Sequence, residues 1–478
     1  MCFNSEVSMN ALNKFSNLSL PVKASIAFLA VNIIQKGLSF LTTPIFTRLL
    51  DTAEYGQVAT YLSLLEVVGI FAMFCLQGGI FNIGMVDYPN KRSEFCFSML
   101  ALSNLITIVC LFIVITFIGS FKHLTGLCNY MICLMFIYYM LQPAFGFWAS
   151  RQRYEYKYIS LSAISLLLAI CAPVSAIVCI YYGIFGDKVA ERLIGFDAPL
   201  LILSGYFYFS IAKKSSFKVD VSYWKQALSF NIVLIPHYVS TFILSSSDRI
   251  MIARLDSDSA AGIYSLGYSI GLVLMSLWIA INNSLVPYTY ENCKAGSYEK
   301  ISRATMNILM FFAACCVSLI LVTPEFILFL APPSYYQAIY VIPTIVGGLY
   351  FLAMYNIFAN IVYYYKKPKY VMIGSVLSAG LNIVLNYYFI PIYGLYAAAY
   401  TTMICYIMQA AIDYWAMKKV LGCNIYPRKV LLTLCVVIIV ISFIGIRLYD
   451  YIVLRYLMLV LVFITIYRHR NNINLKAK

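Results

Sequence analysis

Charge is what this sequence has least of. Only 11% of its 478 residues are Asp, Glu, Lys or Arg, where an ordinary soluble domain carries about a quarter. The 62% that are hydrophobic are more than a soluble core absorbs, which excludes a soluble globular protein. Histidine is scarce, at 3 residues, and the 14 cysteines stand singly or as the Cys315-Cys316 pair, without CxxC or His-rich spacing. Neither a metal centre nor a disulfide framework is expected. No phosphate-cradling GxxxxGK[ST] and no HExxH occurs, and the segments between apolar runs are short. A soluble catalytic or nucleotide-binding domain has no room, so no enzyme activity and no cofactor are expected.

What the sequence does contain is long apolar runs. A helix needs roughly 20 apolar residues to cross a bilayer, and uncharged stretches of that length cover residues 95–121, 124–150, 158–186 and 259–290. Two longer ones, 326–365 and 370–412, each hold a span and a turn, marked by Ala331-Pro332-Pro333-Ser334 and Pro391-Ile392-Tyr393-Gly394. None of these runs alternates apolar with polar residues, which excludes a membrane β-barrel. The first run, 24–46, follows a polar leader and lacks a cleavage signature, so it reads as a retained span. The fold class expected is therefore an all-α polytopic membrane protein of about fourteen transmembrane helices.

The Lys and Arg positions test that count, because cytoplasmic loops collect positive charge. With the N-terminus placed in the cytoplasm, outer segments hold only Arg48, Lys122, Lys188, Arg192, Arg249, Arg254, Arg447 and Arg455. Lys36 lies inside the first span, and every other one of the 34 Lys and Arg falls on the inner side. Both termini are expected in the cytoplasm, in a bacterial inner membrane. Charge spread over many short juxtamembrane segments suits topology and anionic lipid headgroups, and argues against nucleic acid.

The chain also repeats itself. Thr47-Arg48-Leu49-Leu50-Asp51-Thr52-Ala53-Glu54-Tyr55-Gly56 lines up with Ala253-Arg254-Leu255-Asp256-Ser257-Asp258-Ser259-Ala260-Ala261-Gly262 at an offset of 206, with Arg, Leu and Gly coinciding. Both segments follow an odd-numbered span and lead into the next. This predicts two pseudo-symmetric, parallel six-helix bundles, residues 24–212 and 228–419, joined by a cytoplasmic linker at 213–227. A leader at 1–23, two additional helices at 420–467 and a basic tail at 468–478 complete the layout. A cleft between two such bundles can open alternately to either side, a route for moving a solute without a pore.

At these residues the sequence resembles the polysaccharide flippase family of the multidrug/oligosaccharidyl-lipid/polysaccharide exporters. The T/A-R-L-L…E-Y-G pattern after the first helix is matched by Thr47, Arg48, Leu49, Leu50, Glu54, Tyr55 and Gly56. A second pattern, D-R-I-M-I…G-I-Y-S, is matched by Asp248-Arg249-Ile250-Met251-Ile252 and Gly262-Ile263-Tyr264-Ser265. The resemblance is closest to O-antigen repeat-unit translocases. It implies transfer of an undecaprenyl-pyrophosphate-linked oligosaccharide from the cytoplasmic to the periplasmic leaflet, with membrane lipids, a polysaccharide polymerase and a chain-length regulator as partners. An ion-coupled drug or cation antiporter of the same superfamily and a membrane glycan polymerase are the rival readings. The first more often has twelve spans, and the second usually carries a long outer loop that this chain lacks.

An ionisable group inside a span costs about 2.5 to 3.5 kcal/mol on insertion scales, so each is a candidate. Lys36 can attract a pyrophosphate as a point charge, or pair with Glu66 of the second span. Arg48, Arg249 and Arg254, near outer span ends, can grip phosphate bidentately or lie solvated at the interface. Glu66, Asp248, Glu325 and Asp413 are candidates for ion coupling or for structural hydrogen bonding. Asp248 and Arg249 are neighbours about 100° apart on a helix, so they serve different contacts. His237, beside Pro236 in the seventh span, reads as part of a kink. Most of the 41 tyrosines read as interfacial anchors, a few as platforms for sugar rings.

Overall fold

The computed structural model describes residues 20–473. Residues 1–19 of the expected leader and 474–478 of the basic tail lie outside the described residues. The helices are α1 (Leu20–Leu49), α2 (Thr52–Ala72), α3 (Gly79–Asp87), α4 (Arg92–Thr116), α5 (Ile118–Thr125), α6 (Asn129–Tyr154), α7 (Tyr158–Tyr182), α8 (Lys188–Lys214) and α9 (Val221–Ile232). They continue as α10 (Ile235–Leu255), α11 (Asp258–Lys294), α12 (Tyr298–Leu321), α13 (Thr323–Leu330), α14 (Ile342–Tyr364), α15 (Lys369–Tyr393), α16 (Leu395–Leu421), α17 (Arg428–Ile444) and α18 (Ile452–Ile473). No strand occurs among the described residues.

Among the described residues ten helices are long and apolar enough to cross a membrane, and eleven if α9 and α10 form one span bent by 50°. The break falls just before Pro236, whose ring and missing N–H interrupt a helix. This is the kink expected beside His237. α1, α17 and α18 occupy the other three of the fourteen expected positions. At 17 residues α17 is the shortest, about 25 Å long and at the lower limit for a span. The protein is thus an all-helical, multi-pass membrane protein.

The repeated segment shows why its polar residues sit where they do. Asp51 and Glu54 form a reciprocal capping box at the start of α2, Glu54 N–H donating to Asp51 Oδ1 and Asp51 N–H to Glu54 Oε2, both at 2.8 Å. At the start of α11, Ser257 Oγ accepts from Ala260 N–H at 3.1 Å. Acidic and hydroxyl residues after the first and seventh spans satisfy the first free N–H groups of the helix that follows.

Two compact units emerge. One contains residues 20–49 together with Leu64–Ile235. Its core is aromatic: Phe81 lies 4.9 Å from Phe147 and 5.8 Å from Phe95, and Trp148 stacks on Phe207 at 4.1 Å. Within it α8 packs on α6 and α7, and α1 on α7. The other unit contains Leu50–Ser63 and the chain from Pro236 onward. Its centre is α14, whose apolar window is 89% buried and which packs on α11, α12, α16 and α17. Tyr335, fully buried, places its hydroxyl 3.1 and 2.9 Å from the carbonyls of Leu50 and Asp51 and holds the turn into α2. α17 and α18 pack on α12 within this unit. α18 is pinned by Arg455, 3% exposed, which grips both oxygens of Glu325 at 2.8 and 2.9 Å and donates to Leu321 O at 2.8 Å.

Candidate functional site

The second unit buries a polar cluster built from four helices. α10 supplies Asp248, 2% exposed. Tyr264 from α11 and Thr402 from α16 each donate a hydroxyl to Asp248 Oδ2 at 2.7 Å, and Asn386 from α15 donates its amide to Oδ1 at 2.7 Å. Asn382 and Asn386, one turn apart on α15, share that face: Asn386 Nδ2 lies 3.2 Å from Asn382 Oδ1, and Asn382 Nδ2 donates to Thr402 Oγ1 at 3.0 Å. Thr401 donates to Asn386 Oδ1 and lies 3.0 Å from Ala398 O. Tyr406 ties α16 to α10 by donating to Leu244 O at 2.9 Å.

An isolated carboxylate at this depth would be prohibitive, and three convergent donors offset that cost. Carboxylate, amide and hydroxyl oxygens drawn together in this way are also the ligands that hard cations take. No group of three or more His, Cys, Asp or Glu forms among the described residues.

The other candidates divide between the units. Lys36 and Arg48 belong to the first. Lys36 is exposed on α1 and makes no ion pair or hydrogen bond among the described residues, so the alternative pairing with Glu66 does not form. Arg48 is exposed at the end of α1, where Nη1 donates to Pro44 O at 2.8 Å. Glu66 is exposed on α2. In the second unit Arg249 lies half-buried, 4.5 Å from the centre of the Tyr268 ring, while its neighbour Asp248 enters the polar cluster. The two residues thus take different contacts, as their helical spacing requires. Arg254 is exposed at the end of α10. Glu325 is held by Arg455 and belongs to the anchoring of α18. Asp413, fully buried on α16, has no hydrogen bond on either oxygen among the described residues, a state that a bound proton or cation relieves.

Sequence reasoning singled out Asp248 as a candidate, met Tyr264 only within the family pattern and Arg455 only as an outer charge, and passed over Asn382, Asn386, Thr401 and Thr402. The signal available was Asn382 and Asn386 at helical spacing inside an uncharged stretch, polar groups that a membrane helix turns inward.

A polytopic helical membrane protein with a buried polar cluster is the class that this fold defines. Residues 22–292, more than half of the chain, match the model for the polysaccharide biosynthesis protein family, and residues 234–388 match the MatE model. The chain belongs to the polysaccharide biosynthesis protein family, within the multidrug/oligosaccharidyl-lipid/polysaccharide exporter superfamily. It is similar to Lsg locus putative protein 1 of Haemophilus influenzae, 26% identical over 373 residues that cover 74% of this chain and 88% of that protein. Its fold is similar to that of the lipid II flippase MurJ in an inward closed conformation, with a TM-score of 0.69 and 16% identity, covering 95% of this chain and 100% of that one. An inward-facing multidrug resistance transporter of the MATE family is similar at a TM-score of 0.58 and 13% identity, covering 81% and 95% of the two chains.

Proposed function

We propose that this protein is a flippase that moves undecaprenyl-pyrophosphate-linked O-antigen, or a similar surface-polysaccharide repeat unit, from the cytoplasmic to the periplasmic leaflet of the inner membrane by alternating access. The observation that carries this reading is a fold shared over 95% of the chain with a lipid II flippase, in a chain whose own family is one of polysaccharide biosynthesis. A flippase forms no covalent bond. It needs cations for an anionic headgroup and a means of changing the exposure of that headgroup. In this reading the candidates for holding the pyrophosphate are Lys36 and Arg48 in the first unit and Arg249 and Arg254 in the second, each taken within its own unit, and Asp248 and Asp413 are where a coupling ion or proton binds. The product is handed to a polymerase and a chain-length regulator.

The MATE-like fold and the two buried carboxylates favour a second reading, an ion-coupled drug or cation antiporter. Deleting the gene in its host and locating undecaprenyl-linked repeat units separates the two. Accumulation on the cytoplasmic side with loss of surface glycan is expected of a flippase, whereas normal polysaccharide supports the antiporter. Lys36→Ala is expected to lower surface polysaccharide without loss of membrane-inserted protein, and unchanged polysaccharide would remove Lys36 from the headgroup site.

The orientation proposed, with both termini cytoplasmic, is checked separately by reporter fusions after Lys225 and Lys369. Both are expected to report cytoplasm, and a periplasmic signal at either would overturn the assignment of sides.

A further inference from the structure

The second unit contains a cavity of about 350 Å³ between α14, α16 and α17. Phe351, Met354, Ala411, Leu432 and Cys435 contribute to its wall, and apart from Tyr414 and Arg428 every lining side chain is apolar. The Tyr414 hydroxyl donates to Asn424 Oδ1 at 2.8 Å. Asn424 in turn donates to Tyr426 O at 2.9 Å, which fixes the short turn that delivers Arg428. The cavity opens sideways, since Ala411 is exposed and Leu432, on its rim, is 65% exposed.

Its length and its polarity identify an occupant. Along α17 the lining runs from Arg428 to Ile439, about 16 Å at 1.5 Å per residue. That matches half of a hydrocarbon core about 30 Å thick, the depth of one leaflet. The volume is at the lower end for ligand-sized cavities and suits one acyl chain, not a long polyprenyl tail. The Arg428 end is where α14 and α16 finish and α17 begins, and it carries Lys366, Lys367, Lys418, Lys419 and Lys429. Arg428 itself is exposed and forms no ion pair or hydrogen bond among the described residues. It stands in the first turn of α17, whose free N–H groups also favour an anion.

We infer that this cavity is a binding site for an anionic glycerophospholipid of the bilayer, with one acyl chain between α14, α16 and α17 and the phosphate on Arg428. The lipid is a bound component of the second unit, separate from the translocated substrate. Basic pockets at the ends of transmembrane helices hold such headgroups.

The test is native mass spectrometry of the full-length protein in mild detergent, titrated with phosphatidylglycerol and, separately, phosphatidylcholine. One phosphatidylglycerol is expected to bind about tenfold more tightly than phosphatidylcholine. Arg428→Gln is expected to bring the two lipids near parity, and Ala411→Trp, which fills the cavity, to remove both. Leu432→Trp plugs the same cavity from its exposed rim, so loss of binding in both tryptophan variants at an unchanged melting temperature reports occupancy and not misfolding. Equal binding by wild type, Arg428→Gln and Ala411→Trp would overturn the proposal. So would displacement of phosphatidylglycerol by undecaprenyl phosphate, which would assign the cavity to the substrate tail.

Discussion

Asp248→Ala is expected to abolish surface polysaccharide and to lower the melting temperature of the purified protein sharply. The Asp248 carboxylate is the common acceptor for Tyr264, Thr402 and Asn386, three donors from three helices. Removing it takes away the shared acceptor, leaving the buried Tyr264 and Thr402 hydroxyls without one and Asn386 with only its longer bond to Asn382, and breaking a buried charged network in this way costs on the order of 3–5 kcal/mol. Asp248→Asn separates the structural role from the functional one. It keeps the shape, one acceptor oxygen and most of the packing, and loses the charge. The expected result is a protein that melts close to wild type yet supports little polysaccharide. Normal polysaccharide from a well-folded Asp248→Asn variant would reduce the cluster to an anchor among α10, α11, α15 and α16, and the coupling role proposed for Asp248 would fall.

The second large effect is expected at the crossing of α2 and α11. A Cβ placed on Gly56 would come to 1.7 Å from Asp258 O, and one on Gly262 to 2.1 Å from Thr52 O. Neither obstacle is a side chain that can turn away. Thr52 and Asp258 are themselves separated by the repeat offset of 206, as are Gly56 and Gly262, so equivalent residues of the two repeats meet across the contact. Around it Thr52 Oγ1 lies 2.7 Å from Ser259 Oγ, and Gln57 donates to Asp258 Oδ2 at 3.0 Å. Gly56→Val or Gly262→Val must push the helices apart and lose these bonds. Either is expected to cost about 3 kcal/mol or more and to eliminate inserted, protease-resistant protein. Gly380→Val is the control, because nothing lies within 4 Å of a Cβ at that position. A Gly56→Val protein with wild-type yield and melting temperature would show that the crossing is not built as described.

Much of this architecture was legible in the residues. Hydrophobic length and the placement of Lys and Arg gave fourteen helical positions, and Pro236 marked a bent span. The repeat around Gly56 and Gly262 was visible as a pattern. Its physical basis, two carbonyls that tolerate no side chain opposite them, required the structure. The candidate site was legible only at Asp248. Asn386 and Thr402 are common polar residues whose significance arises from α15 and α16 being brought against α10, and no local pattern encodes that meeting. The partner of Arg455 was hidden for a related reason. Its count among the outer charges says nothing of its contacts, and in the structure it is a buried guanidinium that clasps Glu325.

The position of α14 bears on how the chain assembles as it is synthesised. Lipid touches little of this helix in the finished protein, and it carries buried polar groups such as Thr344 and Asn360, the latter donating to Asn282 Oδ1 at 2.9 Å. α11 and α12 precede it in synthesis, but α16 and α17, which cover its remaining sides, are made afterwards. Since chains insert and fold from the N-terminus, α14 spends an interval in the bilayer with its future interior facing lipid. The second unit is therefore exposed to misassembly until the ribosome has delivered its last helices.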